Sequence, residues 1–180
     1  MALWRDGAFV EDVWMKLADD PSLPARGPVI VSLDRWRRDA ESLRKRADVG
    51  VEIAAGPQTI VALTEVADRP LVALRFEKFG DGRAFSYAIL LRQRHAFSGE
   101  LRAVGDVLLD EIPLMVRCGF SSFDVTNEAT LRALREARLP KFPVAYQPGL
   151  SAGETRDASR PWARRLSAGL GSDGRHPASA

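Results

Sequence analysis

Three features of the sequence predict an α/β fold built on a parallel sheet. Short apolar runs recur along the chain (GPVIVSL, VGVEIA, LVALRFEKF, GELRAVG, SSFDV), segments with helical apolar spacing lie between them, and the connections are only a few residues long. Strands alternating with helices in this way are joined by right-handed crossovers into a parallel sheet. Continuous apolar runs further suggest a sheet covered on both faces. The expectation is an α/β domain with a parallel sheet of about five strands and flanking helices, preceded by an N-terminal β-hairpin and followed by a disordered C-terminal tail. A barrel-like curl of the same units is the alternative.

The elements follow in order. ALWRDGAFVEDVW alternates apolar and polar residues on both sides of Asp6-Gly7, a hairpin signal over residues 1–16. GPVIVSL reads as the first core strand. In DRWRRDAESLRKRAD, Leu33, Trp36, Ala40, Leu43 and Ala47 recur at intervals of three and four, which predicts one helix with a charged, solvated outer face. VGVEIA is the second strand. PQTIVALTEVADRP reads as a short helix, although TIVALTEV also fits a strand. LVALRFEKF is followed by the helix AFSYAILLRQRH, and GELRAVG by the helix VLLDEIPLMVRCG, which Gly119 closes. Pro113 lies inside that last helix, where it should produce a kink or displace the start toward Asp110. SSFDV and the helix EATLRALREARL complete the domain, expected to span residues 1–147 as a single unit.

Composition narrows the function classes. The 180 residues carry a net charge of +2, and residues 148–180, with five arginines against three acids, account for all of it. The body is neutral, which argues against nucleic-acid binding, because phosphate neutralisation needs a basic excess on one face. The tail, rich in Gly, Ser, Ala, Pro and Arg, has too little apolar surface to offset its ordering entropy and is expected to be disordered. No apolar run approaches the roughly 20 residues of a membrane span, and the first residues lack the apolar core of a signal peptide. With a single cysteine, Cys118, the chain reads as cytoplasmic. Cys118, in an apolar setting before Gly119, reads as a packed thiol. Two histidines, one of them in the tail, do not build a metal site. No cofactor is expected: FGDGRAFS lacks both the GK[ST] ending of a phosphate-binding loop and the GxGxxG spacing of a dinucleotide site.

In open parallel sheets ligands bind beyond the carboxyl ends of the strands. That rule gathers Glu77, Lys78, Asp81 and Arg83 after the third strand, Gly105 and Asp106 after the fourth, and Thr126 and Asn127 after the fifth. Cations, carboxylates and helix N-termini together suit a small anion. Each residue also has a structural reading. Asp106 and Asn127 are good N-caps, Gly80 and Gly82 suit a tight turn around Asp81, and Lys78 and Arg83 could pair with Glu77 and Asp81.

Phe76, Lys78, Phe79, Asp81, Gly82, Arg83 and Ser86, then Gly99 through Val107 and Arg117 through Phe120, form long motifs, with Ser32, Leu33 and Trp36 as an earlier signature. In these the chain resembles a bacterial family known as domain of unknown function 934 (DUF934), over roughly residues 3–147. Pro113 departs from the apolar or aromatic residue usual there. The resemblance implies a link to assimilatory sulfate and sulfite reduction, since the family carries the label of an oxidoreductase of sulfite reduction and is similar to proteins encoded beside sulfite reductase. The expected partners are therefore sulfite reductase or other sulfate-assimilation enzymes. At the strand-end edge Asp81 and Asp106 are the catalytic candidates, as general base should the chain be an enzyme in its own right. Lys78, Gly82, Arg83, Ser86, Arg102 and Asn127 are the anion- or partner-binding candidates. A stand-alone anion-binding enzyme remains an alternative, as does a homodimerising module that pairs through AFSYAILL.

Overall fold

The structure, a computed structural model, describes residues 2–17, 23–56, 59–77 and 82–140, with residue 150 and the backbone of three short strands at 144–145, 155–156 and 164–165. The first strands, β1 (Ala2–Arg5) and β2 (Ala8–Val10), form the expected hairpin; Asp6 and Gly7 take φ of 51° and 86°, the left-handed pair that a two-residue hairpin turn requires. Next come β3 (Met15–Lys16), β4 (Val29–Ser32), α1 (Leu33–Arg38), α2 (Ala40–Leu43), β5 (Val49–Ala54), α3 (Thr59–Val66) and β6 (Leu71–Phe76). The domain continues with α4 (Arg83–Arg94), β7 (Glu100–Gly105), α5 (Ile112–Arg117), β8 (Ser122–Val125) and α6 (Glu128–Arg135). Val144–Ala145, Arg164–Arg165 and Thr155–Arg156 pair as a separate small antiparallel ladder. The expected disorder of residues 148–180 otherwise lies outside the described residues.

The sheet has eight strands, not five, in the order β2-β1-β8-β7-β6-β5-β4-β3. The five expected parallel strands are β4 to β8. The hairpin docks antiparallel on β8, and Met15–Lys16 adds a further parallel strand beside β4. Strand order from β3 to β8 never reverses, so right-handed crossovers place every helix on one face. Core membership bears this out. Val31, Val51, Leu74, Leu101, Phe123 and Trp4 share one buried cluster with Trp36, Leu63, Leu91, Met115 and Leu131 of the helices. Ile30, Leu71, Ala73 and Val104, which point the other way along the same strands, form a separate cluster with Trp14. The expectation of helices covering both faces is thus corrected.

Chain length forces the sheet to curl. Only Glu11–Trp14 join β2 to β3, at opposite edges of the sheet. Five Cα steps reach at most about 18 Å, whereas seven strand spacings of about 4.8 Å amount to roughly 34 Å along the sheet. The edges must therefore approach each other, and Glu11–Trp14 cross the gap on the concave side, where Trp14 meets the inner cluster. The arrangement is the barrel-like curl, with helices outside and one face inside.

Two helices depart from the expected spans. The helix after β4 breaks at Asp39 (φ −102°, ψ 24°), whose carbonyl accepts from Ser42 and Leu43 and whose carboxylate takes the Arg35 guanidinium at 3.3 Å. Asp39 thus ends α1, its N–H still donating to the Arg35 carbonyl, and begins α2, so the one expected helix is two. The helix before β8 starts at Ile112 with Pro113 in its first turn, where a missing N–H costs nothing. TIVALTEV is a helix. Thr59 locks its start, its hydroxyl accepting from Gly56 N (2.8 Å) and donating to the Ala54 carbonyl (3.0 Å).

Candidate functional site

The carboxyl ends of β6, β7 and β8 form one edge, as parallel register requires. Lys78 and Asp81 lie outside the described residues. Gly82 caps α4 without a side-chain bond, and Arg83 opens the helix, exposed, with Ser86 exposed one turn on. Gly105 ends β7 at φ +92°. A Cβ there would stand 2.3 Å from the Phe76 carbonyl oxygen, so glycine is needed for the close approach of β6 and β7 that lets Asp106 N donate to that carbonyl at 2.9 Å. Asp106 is half-buried. Burial, with Asp110 and Asp106 adding repulsion, pushes the Glu111 carboxyl above its ordinary range. Asn127 is the N-cap of α6, its side-chain oxygen accepting from Thr130 N at 3.0 Å. An open groove of about 410 Å³ lies between the loop after β7 and α6, lined by Leu109, Asp110, Asn127, Thr130, Arg132 and Arg138.

Arg102 is not at this edge. It sits mid-strand in β7, 2% exposed, on the inner face, away from the helix side that carries Arg83 and Ser86. Its Nη1 and Nη2 meet Asp12 Oδ2 and Oδ1 at 2.6 and 3.0 Å, a two-pronged pair with the strap that closes the curl. Nε and Nη2 reach Glu100 Oε1 at 3.0 and 2.8 Å. Glu100 Oε1 also accepts from the Ser122 hydroxyl at 2.6 Å, and Arg5 lies 3.6 Å from Oε2. Burial opposes the charged guanidinium, but Asp12 and Glu100 outweigh it and raise its pKa above the ordinary value.

A second inner-face group joins Lys16, 2.7 Å from Glu52 Oε2, to Arg75, whose guanidinium grips Glu52 Oε1. Asp124 of β8 faces inward as well. Burial pushes its carboxyl up, Arg102 opposes the shift and Asp12 adds to it. Its Oδ1 is buried with no hydrogen-bond partner among the described residues. Such an orphan requires an explanation, because a buried polar atom left unpaired costs about 1–3 kcal/mol.

Apart from Arg102, the expected site left out this network, yet the strands carried its signal. Four neighbouring strands, β5 to β8, break their apolar runs with charge on inward-facing positions: Glu52 in VGVEIA, Arg75 in LVALRF, Glu100 and Arg102 in ELRAVG, Asp124 in SFDV. Cys118 is a buried thiol, and burial pushes its pKa up against the pull of Arg117, so it sits among core side chains as expected.

Comparison with known proteins gives one family match: the model for a bacterial protein family of unknown function, DUF934, matches residues 40–156. No curated protein and no solved structure matches the chain.

Proposed function

This chain belongs to the bacterial DUF934 family, and from that membership we propose that it is an accessory protein of assimilatory sulfite reduction, acting with sulfite reductase. The observation that carries the reading is the match over residues 40–156, which spans the motif stretches 76–86, 99–107 and 117–120. The sequence holds no nicotinamide, flavin, haem or cluster fingerprint of its own, so the electrons of any redox step travel in the partner. The chain's part is then to hold a small oxyanion or the partner's surface. Arg83 at the start of α4 supports that role, as do Arg132 and Arg138 along the groove beside α6.

Growth of a deletion strain on sulfate, sulfite, sulfide and cysteine in turn tests the proposal. Rescue by sulfide but not by sulfite is expected; growth on every source without the protein rejects it. Recovery of sulfite reductase in a pull-down from native extract supplies the second arm.

A stand-alone enzyme at the same edge is the second reading, with Lys78 and Arg83 on the anion and Asp81 or Asp106 as general base. The half-burial of Asp106 just after β7 favours it. Unchanged anion affinity and growth in Arg83→Ala and Lys78→Ala would remove it. Pairing through α4 has less support, because Ala84, Tyr87, Ala88 and Leu91 are buried and Phe85, Ile89 and Leu90 pack half-buried against the chain's own core. Sedimentation as a monomer at high concentration would dispose of that reading.

A further inference from the structure

The inner face of the curl contains an arginine held by Glu100 on its own strand, whose second partner, Asp12, belongs to a strap. We infer that Arg102 anchors a binding site for a small inorganic oxyanion inside the curl, and that Asp12 occupies this site as an intramolecular stand-in until the strap Glu11–Trp14 lifts. The ligand class rests on the proposed function; the site rests on the geometry below.

The Asp12 carboxylate presents two oxygens to Nη1 and Nη2 of Arg102 at 2.6 and 3.0 Å. Sulfate, sulfite and phosphate present adjacent oxygens to a guanidinium fork in the same manner. Glu100, itself fixed by Ser122 and Arg5, holds Nε and Nη2 from the strand side and fixes the orientation of the fork. Asp12 could therefore leave without releasing the guanidinium from β7.

The strap is lightly held. Val13 and Met15 are 70% and 58% exposed, β3 is two residues long, and the strap's inward contacts are the Asp12 pair and the half-buried Trp14 on the inner cluster. Lifting it would expose Arg102 together with Asp124, whose Oδ1 is buried and lacks a hydrogen-bond partner among the described residues. A tethered carboxylate competes at a high effective concentration, so a free anion must make a contact that Asp12 does not. Asp124 is placed to supply it: it faces inward on β8 beside β7, two residues from Ser122 opposite Arg102. Its Oδ1 is buried with no hydrogen-bond partner among the described residues, and burial shifts its carboxyl toward the neutral form that can donate.

Calorimetric titration of the full chain with sulfate, and separately with inorganic phosphate, tests the inference. Asp12→Asn keeps the size of the side chain and removes its charge, and is expected to bind sulfate at least tenfold more tightly than the wild type. Arg83→Ala on top of it should leave that gain intact, whereas Asp12→Asn with Arg102→Met should abolish binding. A folded Asp12→Asn chain with no gain overturns the inference, as does a gain that survives loss of Arg102 or disappears with Arg83. Should Asp12→Asn fail to fold, the wild type decides by nuclear magnetic resonance: the Arg102 Nε–Hε signal is expected to move saturably with sulfate, and a flat response overturns the inference. The growth test stays independent. A dispensable protein that still binds sulfate at Arg102 removes the sulfite-reduction role alone, and a required protein without this binding removes the inner site alone.

Discussion

Gly105 and Asp124 lie at the ends of neighbouring strands and are constrained in opposite ways, one by space and one by charge. Gly105→Ala combines a left-handed φ with a Cβ driven against the Phe76 carbonyl. It is expected to cost roughly 3 kcal/mol in urea denaturation; a loss below about 0.5 kcal/mol would show that β6 and β7 can part at no cost. Asp124 has a carboxyl raised by burial, so the folded protein holds that proton more tightly than the unfolded chain does. Between the ordinary carboxylate range and the raised folded value, stability therefore falls as pH rises. Asp124→Asn cannot ionise. It should melt higher than the wild type at pH 8, with the difference shrinking toward pH 4; parallel melting curves across that range would refute the assignment. Asn127 was readable in advance both as a cap and as a ligand contact, and its bond to Thr130 N shows the cap. Asn127→Ala should cost about 1 kcal/mol in stability. If growth on sulfate nevertheless collapses while stability holds, the side chain has a second role.

At the scale of elements, the sequence marked each described helix between residues 33 and 135, TIVALTEV only as one of two readings, and the errors fell on where helices begin and break. Trp36 and Leu43 are buried and Leu33 and Ala40 half-buried, as the spacing of one long helix implies, but Ala47 is exposed beyond α2 and Arg35, expected on the solvated face, is 1% exposed. The break at Asp39 lies in its backbone (φ −102°, ψ 24°), which apolar spacing does not encode. Pro113 displaced a helix start, as its chemistry demands. Helix α4 is tied to its neighbours by Arg92, whose Nε donates to the Gly119 carbonyl at 3.0 Å and whose Nη1 donates to those of Phe97 and Gly99 at 2.6 and 2.9 Å. A Cβ on Gly119 would lie 2.6 Å from Arg92 Cγ, so the glycine that closes α5 also makes room for this clamp. Arg92→Met strands three carbonyls at once and is expected to lower stability by about 3 kcal/mol. A neutral result in thermal and urea denaturation would mean that water replaces the guanidinium freely.

For the whole molecule, the governing fact is that the sheet curls until a short strap spans its two edges, and lines the inside with charge. Removing Arg102 alone takes the guanidinium from Asp12 and leaves Glu100 only the more distant Arg5, and Arg102→Met should cost about 3–5 kcal/mol. Adding Asp12→Asn should recover part of that loss, a coupling that a double-mutant cycle reads directly; strictly additive losses would mean the pair is not linked as the distances imply. The sequence by itself determined the α/β class, the five parallel strands, the hairpin, the cap at Asn127 and the family, because each depends on residues close together along the chain. Tertiary structure alone decided that the strand order never reverses, that the helices therefore lie on one side, and that a four-residue strap draws the sheet edges together. Arg102 and Asp12 are 90 positions apart, and no local pattern couples them. Only the curl brings them face to face, because a short chain between distant edges leaves the sheet no other shape.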